Sequence, residues 1–157
     1  MILFFDFDGT IIDDKDAVIH AFIKTLDRFG FSITENDMKP VLGDTMENIF
    51  DALIPKSVIK KKLVKEAIEY MEWYVTNEGY KRIKPCEGID VIKTLKGRWK
   101  LYLVTNSCRK VVDFLSQKFS IDIPWDGVIT SDNGYENKAC AFDDIIKRLK
   151  LKKDKAF

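Results

Sequence analysis

The sequence has few cysteines, little net charge and no long apolar run. No two of its three cysteines have the short separation that is typical of metal sites, and an odd number of cysteines argues against a disulfide framework. A net charge of +1 argues against a strongly positive electrostatic potential that would attract nucleic acid. No window approaches the apolar length of a membrane span, and Met1–Phe5 is too short for a signal-peptide core. We therefore expect a cytoplasmic protein with reduced thiols and with neither nucleic-acid nor membrane partners.

The most informative segment lies at the start of the chain, where an apolar run ends in two aspartates. Ile2–Phe5 is typical of a buried strand, and it is followed by Asp6, Asp8, Gly9 and Thr10. Two carboxylates this close repel each other and lose hydration on burial, so the pair needs compensation. A hard divalent cation with oxygen ligands is the usual compensator. The segment therefore predicts a Mg²⁺-dependent phosphoryl-transfer site.

The two aspartates have separate predicted roles. Attack by Asp6 on phosphorus would form an aspartyl-phosphate and divide the hydrolysis into two displacements. Asp8 could protonate the leaving oxygen and later deprotonate water. Gly9 permits the tight turn that brings both groups to one point. The alternative interpretation of the segment is a surface Asx turn after a strand.

Two later segments could hold a phosphate group. Thr105 follows an apolar strand, and Asn106 and Ser107 then open a helix, which offers hydroxyl and N–H donors. The alternative interpretation is an ordinary helix N-cap. Lys138 opens the last predicted helix, and its ammonium could neutralise the nucleophile and the phosphoryl group together. A solvated lysine is the alternative there.

The periodicity of apolar residues divides the chain into two kinds of structure. Residues 14–82 show helical spacing with no strand between, whereas strands and helices alternate from Gly88 onward. Such alternation predicts right-handed crossovers and a parallel sheet. We expect an α/β protein with a Rossmann-like core at 1–13 and 83–157 and a small helical domain inserted at 14–82. The helices predicted within the insertion are one at 15–29, one from Asp44 and a long one after Pro55.

The order of these segments resembles the haloacid dehalogenase-like superfamily over essentially the whole chain. The pattern is Asp6-Phe7-Asp8-Gly9-Thr10, a helical insertion, Thr105-Asn106-Ser107 and then Lys138. It is most similar to the phosphatase branch with a small helical cap, in the manner of phosphoglycolate phosphatase and β-phosphoglucomutase. The proline that often follows the lysine is here Ala139.

The resemblance implies a role for each matching residue. Asp6 would be the nucleophile and a Mg²⁺ ligand, and Asp8 would be the acid/base, with its backbone carbonyl on the metal. Thr105 and Lys138 would hold the phosphoryl group. An aspartate at position 8 argues against carbon–halogen cleavage, because the dehalogenase members lack it. The further residues implied in substrate binding are Gly9, Thr10, Asn106 and Ser107, with a cap loop at Gly43, Asp44 and Thr45.

The function that the resemblance implies is Mg²⁺-dependent hydrolysis of a small phosphorylated metabolite. Two alternatives stay open. One is a truncated or degenerate homologue that binds a phosphate ligand or a protein partner without turnover. The other is a phosphomutase, in which the phosphoryl group returns from Asp6 to the substrate instead of passing to water.

Relatives carry a fourth motif, a strand that ends in Gly-Asp and a further Asp and completes the Mg²⁺ shell. We expect that strand near Phe157 and do not find the motif, which predicts weaker Mg²⁺ binding and lower turnover. Asp132, Asp143 and Asp144 are expected to be poor substitutes. Because the strand would lie beside Ile2–Phe5, its lack predicts self-association through an apolar edge, unless the chain is part of a longer protein.

Overall fold

The computed structural model describes residues 1–57 and 60–151, and the chain divides into two compact units. The first unit comprises Met1–Asp13 and Pro85–Phe157, and the second comprises Asp14–Lys84. From the sequence, these boundaries were predicted after residues 13 and 82. The parts of the predicted core and of the predicted long helix that fall at 152–157 and 58–59 lie outside the described residues.

The first unit contains a three-stranded parallel sheet. The strands of the described residues are β1 (Ile2–Phe5), β2 (Ile12–Asp13), β3 (Lys84–Pro85), β4 (Lys100–Val104) and β5 (Gly127–Ile129). The parallel sheet has the order β1-β4-β5, and β2 and β3 form a separate two-stranded sheet. Leu3 lies opposite Leu101, and Leu103 lies opposite Val128. The predicted α/β class with a parallel sheet is confirmed.

Helices make up most of the remaining described structure. They are α1 (Lys15–Arg28), α2 (Glu35–Met38), α3 (Met46–Leu53), α4 (Lys60–Asn77), α5 (Asp90–Thr94), α6 (Arg109–Lys118) and α7 (Lys138–Arg148). The first four belong to the second unit, and the last three alternate with the strands of the first, as the sequence predicted. Among the helices in the described ranges, none has the length and apolar character needed to cross a membrane.

The core of the first unit forms where α7 packs against the sheet. Ile2 of β1 is buried together with Ala141 and Ile145 of α7. These two α7 residues are four positions apart and therefore lie on one face of the helix. The ring of Phe4 packs on Phe142 with 4.7 Å between the centroids. Apolar packing thus holds α7 against β1 and determines where the first residues of α7 lie.

Within the described part of the chain, β1 is an edge strand of the sheet. It pairs with β4 on one side only. Ile2 is buried, whereas Leu3, Phe4 and Phe5 are partly exposed. An apolar edge strand is a template for pairing with another chain. Self-association through this edge stays a prediction.

In the second unit, α4 packs against both α1 and α3. Phe22 of α1 and Phe50 of α3 are buried, with their ring centroids 4.9 Å apart, and Met71 of α4 is also buried. Helical spacing of apolar residues in the sequence predicted that these segments are helices with an apolar face. The assignment of the unit as a cap stays a prediction.

Two details of the second unit differ from the sequence-based prediction. The helix predicted from Asp44 has Thr45 as its N-cap, and the Thr45 side chain accepts a hydrogen bond from the Asn48 N–H at 3.3 Å. Threonine and aspartate are both good N-cap residues, so the sequence did not separate them. The four-residue helix α2 was not predicted, because one turn is too short to show apolar periodicity.

The only histidine of the sequence, His20, lies in α1 beside Tyr74 of α4. Their rings stack with 6.1 Å between the centroids, and the Tyr74 hydroxyl lies 3.1 Å from His20 Nδ1. Partial burial disfavours the charged imidazole and lowers the pKa of His20, and the positive charges of Arg82 and Lys24 lower it further. The folded state therefore favours the neutral form of His20.

We expect the free energy of unfolding to fall when the pH is lowered from about 7.5 to about 5.5. Unfolded His20, with its ordinary pKa of 6.5, binds a proton in this range more readily than folded His20 does, so the unfolded state gains protons. Urea unfolding followed by circular dichroism at both pH values measures the loss. His20→Gln should lose less over the same interval, and an equal loss would assign the effect to other groups.

Candidate active site

Asp6 and Asp8 lie directly beyond β1, on either side of the buried Phe7. Phe7 is 1% exposed. Asp6 and Asp8, in contrast, are partly exposed. The sequence pattern therefore consists of one buried apolar residue between two acids that solvent can reach.

A tight turn after Asp8 closes on the carbonyl oxygen of Phe7. That oxygen accepts hydrogen bonds from the N–H groups of Ile11 at 2.8 Å and Ile12 at 3.1 Å. Gly9 has a φ of 70°, in the left-handed region that favours glycine, and its N–H donates to the Ile12 carbonyl at 2.8 Å. The turn predicted from Gly9 is therefore present.

Asp6 forms an ion pair with Lys138. The Lys138 Nζ lies 2.5 Å from Asp6 Oδ2, and the N–H of Phe7 donates to Asp6 Oδ1 at 2.8 Å. Lys138 is the first residue of α7, whose N-cap Asn137 accepts the Cys140 N–H at 3.0 Å. A positive charge thus lies beside one oxygen of the candidate nucleophile, and the predicted role of Lys138 toward a phosphoryl group stays a prediction.

Asp8 accepts hydrogen bonds from two hydroxyl groups. Ser107 Oγ lies 2.8 Å from Asp8 Oδ2 and 3.0 Å from Asp8 Oδ1. Thr105 Oγ1 donates to Asp8 Oδ2 at 3.1 Å. Two hydroxyl groups thus contact the carboxylate of Asp8, and the ammonium of Lys138 contacts that of Asp6.

The ends of β4 and β5 position these hydroxyl groups. The buried Thr105 extends the ladder after β4, since its N–H donates to the Ile129 carbonyl at 3.0 Å. The Ser131 N–H then donates to the Ser107 carbonyl at 3.2 Å. Two loops at the carboxyl ends of neighbouring strands are thereby tied together, where ligands of parallel sheets bind.

The remaining residues implied in substrate binding lie in different surroundings. Thr10 is exposed in the turn after Asp8, and Asn106 is partly buried between Thr105 and Ser107. Gly43, Asp44 and Thr45 belong to the second unit, at the start of α3. There Asp44 Oδ1 accepts the Thr45 N–H and the Asn48 side-chain amide, each at 2.7 Å. Any role of this loop in binding substrate stays a prediction.

The sequence did not predict the contact of Ser107 with Asp8, and Ser107 was assigned to substrate binding instead. Thr105 and Ser107 are two hydroxyl residues on either side of Asn106, directly after β4, and this cluster was the available signal. The contact occurs in a bend after β4, where the Ser107 N–H donates to the Thr105 hydroxyl at 3.0 Å, and apolar periodicity does not predict such a bend.

Asp132, Asp143 and Asp144 were predicted to be poor substitutes for the missing metal ligands. Two of them, Asp132 and Asp144, contact residues near α6 and α7. Asp132 Oδ2 accepts the Arg109 N–H at the start of α6, at 2.5 Å. Asp144 pairs with Arg148 at 2.7 Å and accepts the Tyr135 hydroxyl, and this hydrogen bond raises the pKa of Tyr135. Nowhere in residues 1–57 and 60–151 do three or more His, Cys, Asp or Glu residues form a group that could hold a metal ion.

Comparison with known proteins relates this chain to a family of hydrolases. A family model described as haloacid dehalogenase-like hydrolase matches residues 3–157. The pyrophosphatase PpaX of Anoxybacillus flavithermus is 28% identical over 134 residues, which cover 83% of this chain and 60% of that relative. The chain therefore spans about three fifths of the length of this curated relative.

Solved structures share the fold over nearly the whole chain. A predicted phosphatase from Clostridium acetobutylicum superposes with a TM-score of 0.78 at 19% identity, covering 99% of this chain and 73% of that one. A haloacid dehalogenase-like family hydrolase from Streptococcus pneumoniae superposes with a TM-score of 0.75 at 22% identity, covering 99% and 72%. At these identities the likeness establishes the fold.

Gly9→Ala should lower the free energy of unfolding by about 1–2 kcal/mol, because alanine is strained in the left-handed region. A Cβ at Gly9 would meet no heavy atom of the described residues within 4 Å, apart from its chain neighbours, so the cost is conformational. Urea unfolding measures it. Gly9→Asn should be less destabilising, since asparagine tolerates this conformation. Wild-type stability in Gly9→Ala would contradict the explanation.

Proposed function

The chain belongs to the haloacid dehalogenase-like hydrolase family, and we propose that it is a phosphatase that acts through an aspartyl-phosphate on Asp6. One observation carries the proposal. Asp6 contacts Lys138 at 2.5 Å, while the neighbouring Asp8 is held by Thr105 and Ser107. A nucleophile, a positive charge and a candidate acid/base thus occur together in the first unit.

In the first displacement, a carboxylate oxygen of Asp6 attacks phosphorus. A bond forms between that oxygen and phosphorus, and the bond from phosphorus to the leaving oxygen breaks. The leaving oxygen takes its proton from the carboxylic acid of Asp8. Covalent catalysis of this kind replaces one difficult hydrolysis by two easier steps.

In the second displacement, water attacks the phosphorus of the aspartyl-phosphate. Asp8, now a carboxylate, takes a proton from the water, and the bond between phosphorus and Asp6 breaks. The products are inorganic phosphate and the regenerated Asp6 carboxylate. Asp8 therefore acts first as acid and then as base, which returns the site to its starting state.

Lys138 and Thr105 are proposed to hold the transferring phosphoryl group. The Lys138 ammonium already lies against Asp6 and can neutralise charge on the phosphoryl oxygens as the bond forms. The Thr105 hydroxyl lies at the carboxyl end of β4, and the Asn106 N–H follows it along the chain. Gly9 and Thr10 border the same turn.

The oxygen atoms at the site are of the chemical type that binds Mg²⁺. The Asp6 carboxylate and the Asp8 main-chain carbonyl are hard oxygen donors, and Mg²⁺ commonly takes one or two carboxylates and completes its shell with water and substrate phosphate. When bound, the ion would neutralise negative charge on the transferring phosphoryl group. Mg²⁺ dependence is therefore part of the proposal.

Substrate selection is assigned to the second unit. We propose that Asp14–Lys84 acts as a cap that excludes water, as lids commonly do, and that Gly43, Asp44 and Thr45 contact the substrate. The proposed substrates are small phosphorylated metabolites. Inorganic pyrophosphate is among the first to test, because one relative is named a pyrophosphatase. Within the described residues, Cys86, Cys108 and Cys140 form no disulfide bond, which suits a reducing compartment, so a cytoplasmic location is also proposed.

Asp6→Asn should abolish phosphate release from p-nitrophenyl phosphate and from pyrophosphate. The amide of asparagine cannot form the acyl phosphate, so we expect a loss of at least about 1,000-fold in kcat. Phosphate release is measured with and without Mg²⁺, and we expect activity only in its presence. Rapid acid quenching should trap a phosphorylated peptide that contains Asp6 in the wild-type protein.

Asp122→Asn provides the matched control, because Asp122 is an exposed aspartate in the first unit. It should retain wild-type activity. Release that persists in Asp6→Asn would contradict the proposed nucleophile. A wild-type protein without phosphate release from either substrate would favour the non-catalytic homologue.

A further inference from the structure

Ser107 contacts Asp8 at both carboxylate oxygens. Its hydroxyl lies 2.8 Å from Oδ2 and 3.0 Å from Oδ1, whereas the Thr105 hydroxyl reaches Oδ2 alone, at 3.1 Å. A carboxylate that is held at both oxygens cannot turn about its Cβ–Cγ bond without losing a contact. Ser107 therefore restrains the orientation of Asp8 in a way that Thr105 alone does not.

The backbone of Ser107 is itself held on two sides. Its N–H donates to the Thr105 hydroxyl at 3.0 Å, and its carbonyl accepts the Ser131 N–H at 3.2 Å. These two hydrogen bonds fix the backbone of Ser107 relative to the ends of β4 and β5. Such support reduces the entropy that is lost when a side chain is restrained.

The hydroxyl groups of Thr105 and Ser107 have different roles in the proposed reaction. The Thr105 hydroxyl accepts the Ser107 N–H, so its own hydrogen is directed at Asp8. A phosphoryl group bound by Thr105 would compete with Asp8 for that hydrogen. Ser107 would still hold Asp8 at that moment, because in the described residues its hydroxyl bonds are both to Asp8.

We propose that Ser107 is a positioning residue for Asp8, holding its carboxyl group in the orientation from which it protonates the leaving oxygen. This inference rests on the proposed phosphatase function. A serine hydroxyl suits the task, because it donates to a carboxylate and can accept from a carboxylic acid. It can therefore hold Asp8 both before and after the proton is transferred. Ser107 acts through Asp8 and is not a phosphate ligand.

The leaving group of the substrate separates this role from a general structural one. An alkoxide is a poor leaving group and needs a proton as the bond to phosphorus breaks, whereas p-nitrophenolate leaves without one. Misplacing the acid should therefore slow hydrolysis of an alkyl phosphate much more than that of p-nitrophenyl phosphate. Loss of a phosphate ligand or of fold stability would slow both.

The experiment measures kcat and KM of the full chain for glycerol 1-phosphate and p-nitrophenyl phosphate. Ser107→Ala should lower kcat for glycerol 1-phosphate by about 10- to 100-fold and for p-nitrophenyl phosphate by less than about threefold. KM should change little for either substrate. Ser107→Thr, which keeps a hydroxyl, should restore much of the activity on the alkyl phosphate. Ser116→Ala removes a hydroxyl in α6 and should behave as wild type.

Equal losses on the two substrates, or a loss confined to KM, would overturn the positioning role and make Ser107 a phosphate ligand or a structural residue. No loss in Ser107→Ala would overturn it as well. Failure of the proposed function looks different, because the wild-type protein would then release no phosphate, or Asp6→Asn would remain active. The inference would fall with it in that case.

Discussion

Two neighbouring carboxylates at the end of β1 must be compensated, and three later residues of the first unit contact them. Asp6 is compensated by the ammonium of Lys138, and Asp8 by the hydroxyl groups of Thr105 and Ser107. In the proposed reaction the carboxylate of Asp6 attacks phosphorus, and the carboxyl group of Asp8 transfers a proton.

Hydrophobic packing sets the position of the charge that Asp6 needs. Lys138 stands three and seven residues before Ala141 and Ile145, so it lies on the same face of α7 as these buried residues. When that face packs against β1, the lysine at the beginning of the helix is carried to the end of the strand. The electrostatic contact of the site is therefore a consequence of the apolar core beneath it.

The sequence predicted those features that depend on local pattern. The apolar run of β1, the acids on either side of Phe7 and the glycine turn are encoded within about ten residues. The alternation of strands and helices after Gly88 likewise predicted the parallel sheet. The orientation of Ser107 toward Asp8 was not predicted, because it depends on how the loop after β4 meets the loop after β5. The first residue of α3 was misplaced because two adjacent residues could each cap it.

The sheet order β1-β4-β5 has a consequence for the synthesis of the protein. Asp6, the proposed nucleophile, precedes the lysine that contacts it by 132 residues. Parallel strands can pair only after the intervening segments have closed a large loop, which slows folding. During translation, β1 therefore emerges well before its partners, and its apolar side chains are not covered until β4 and α7 have been synthesised. The contact between Asp6 and Lys138 forms only after α7 has followed.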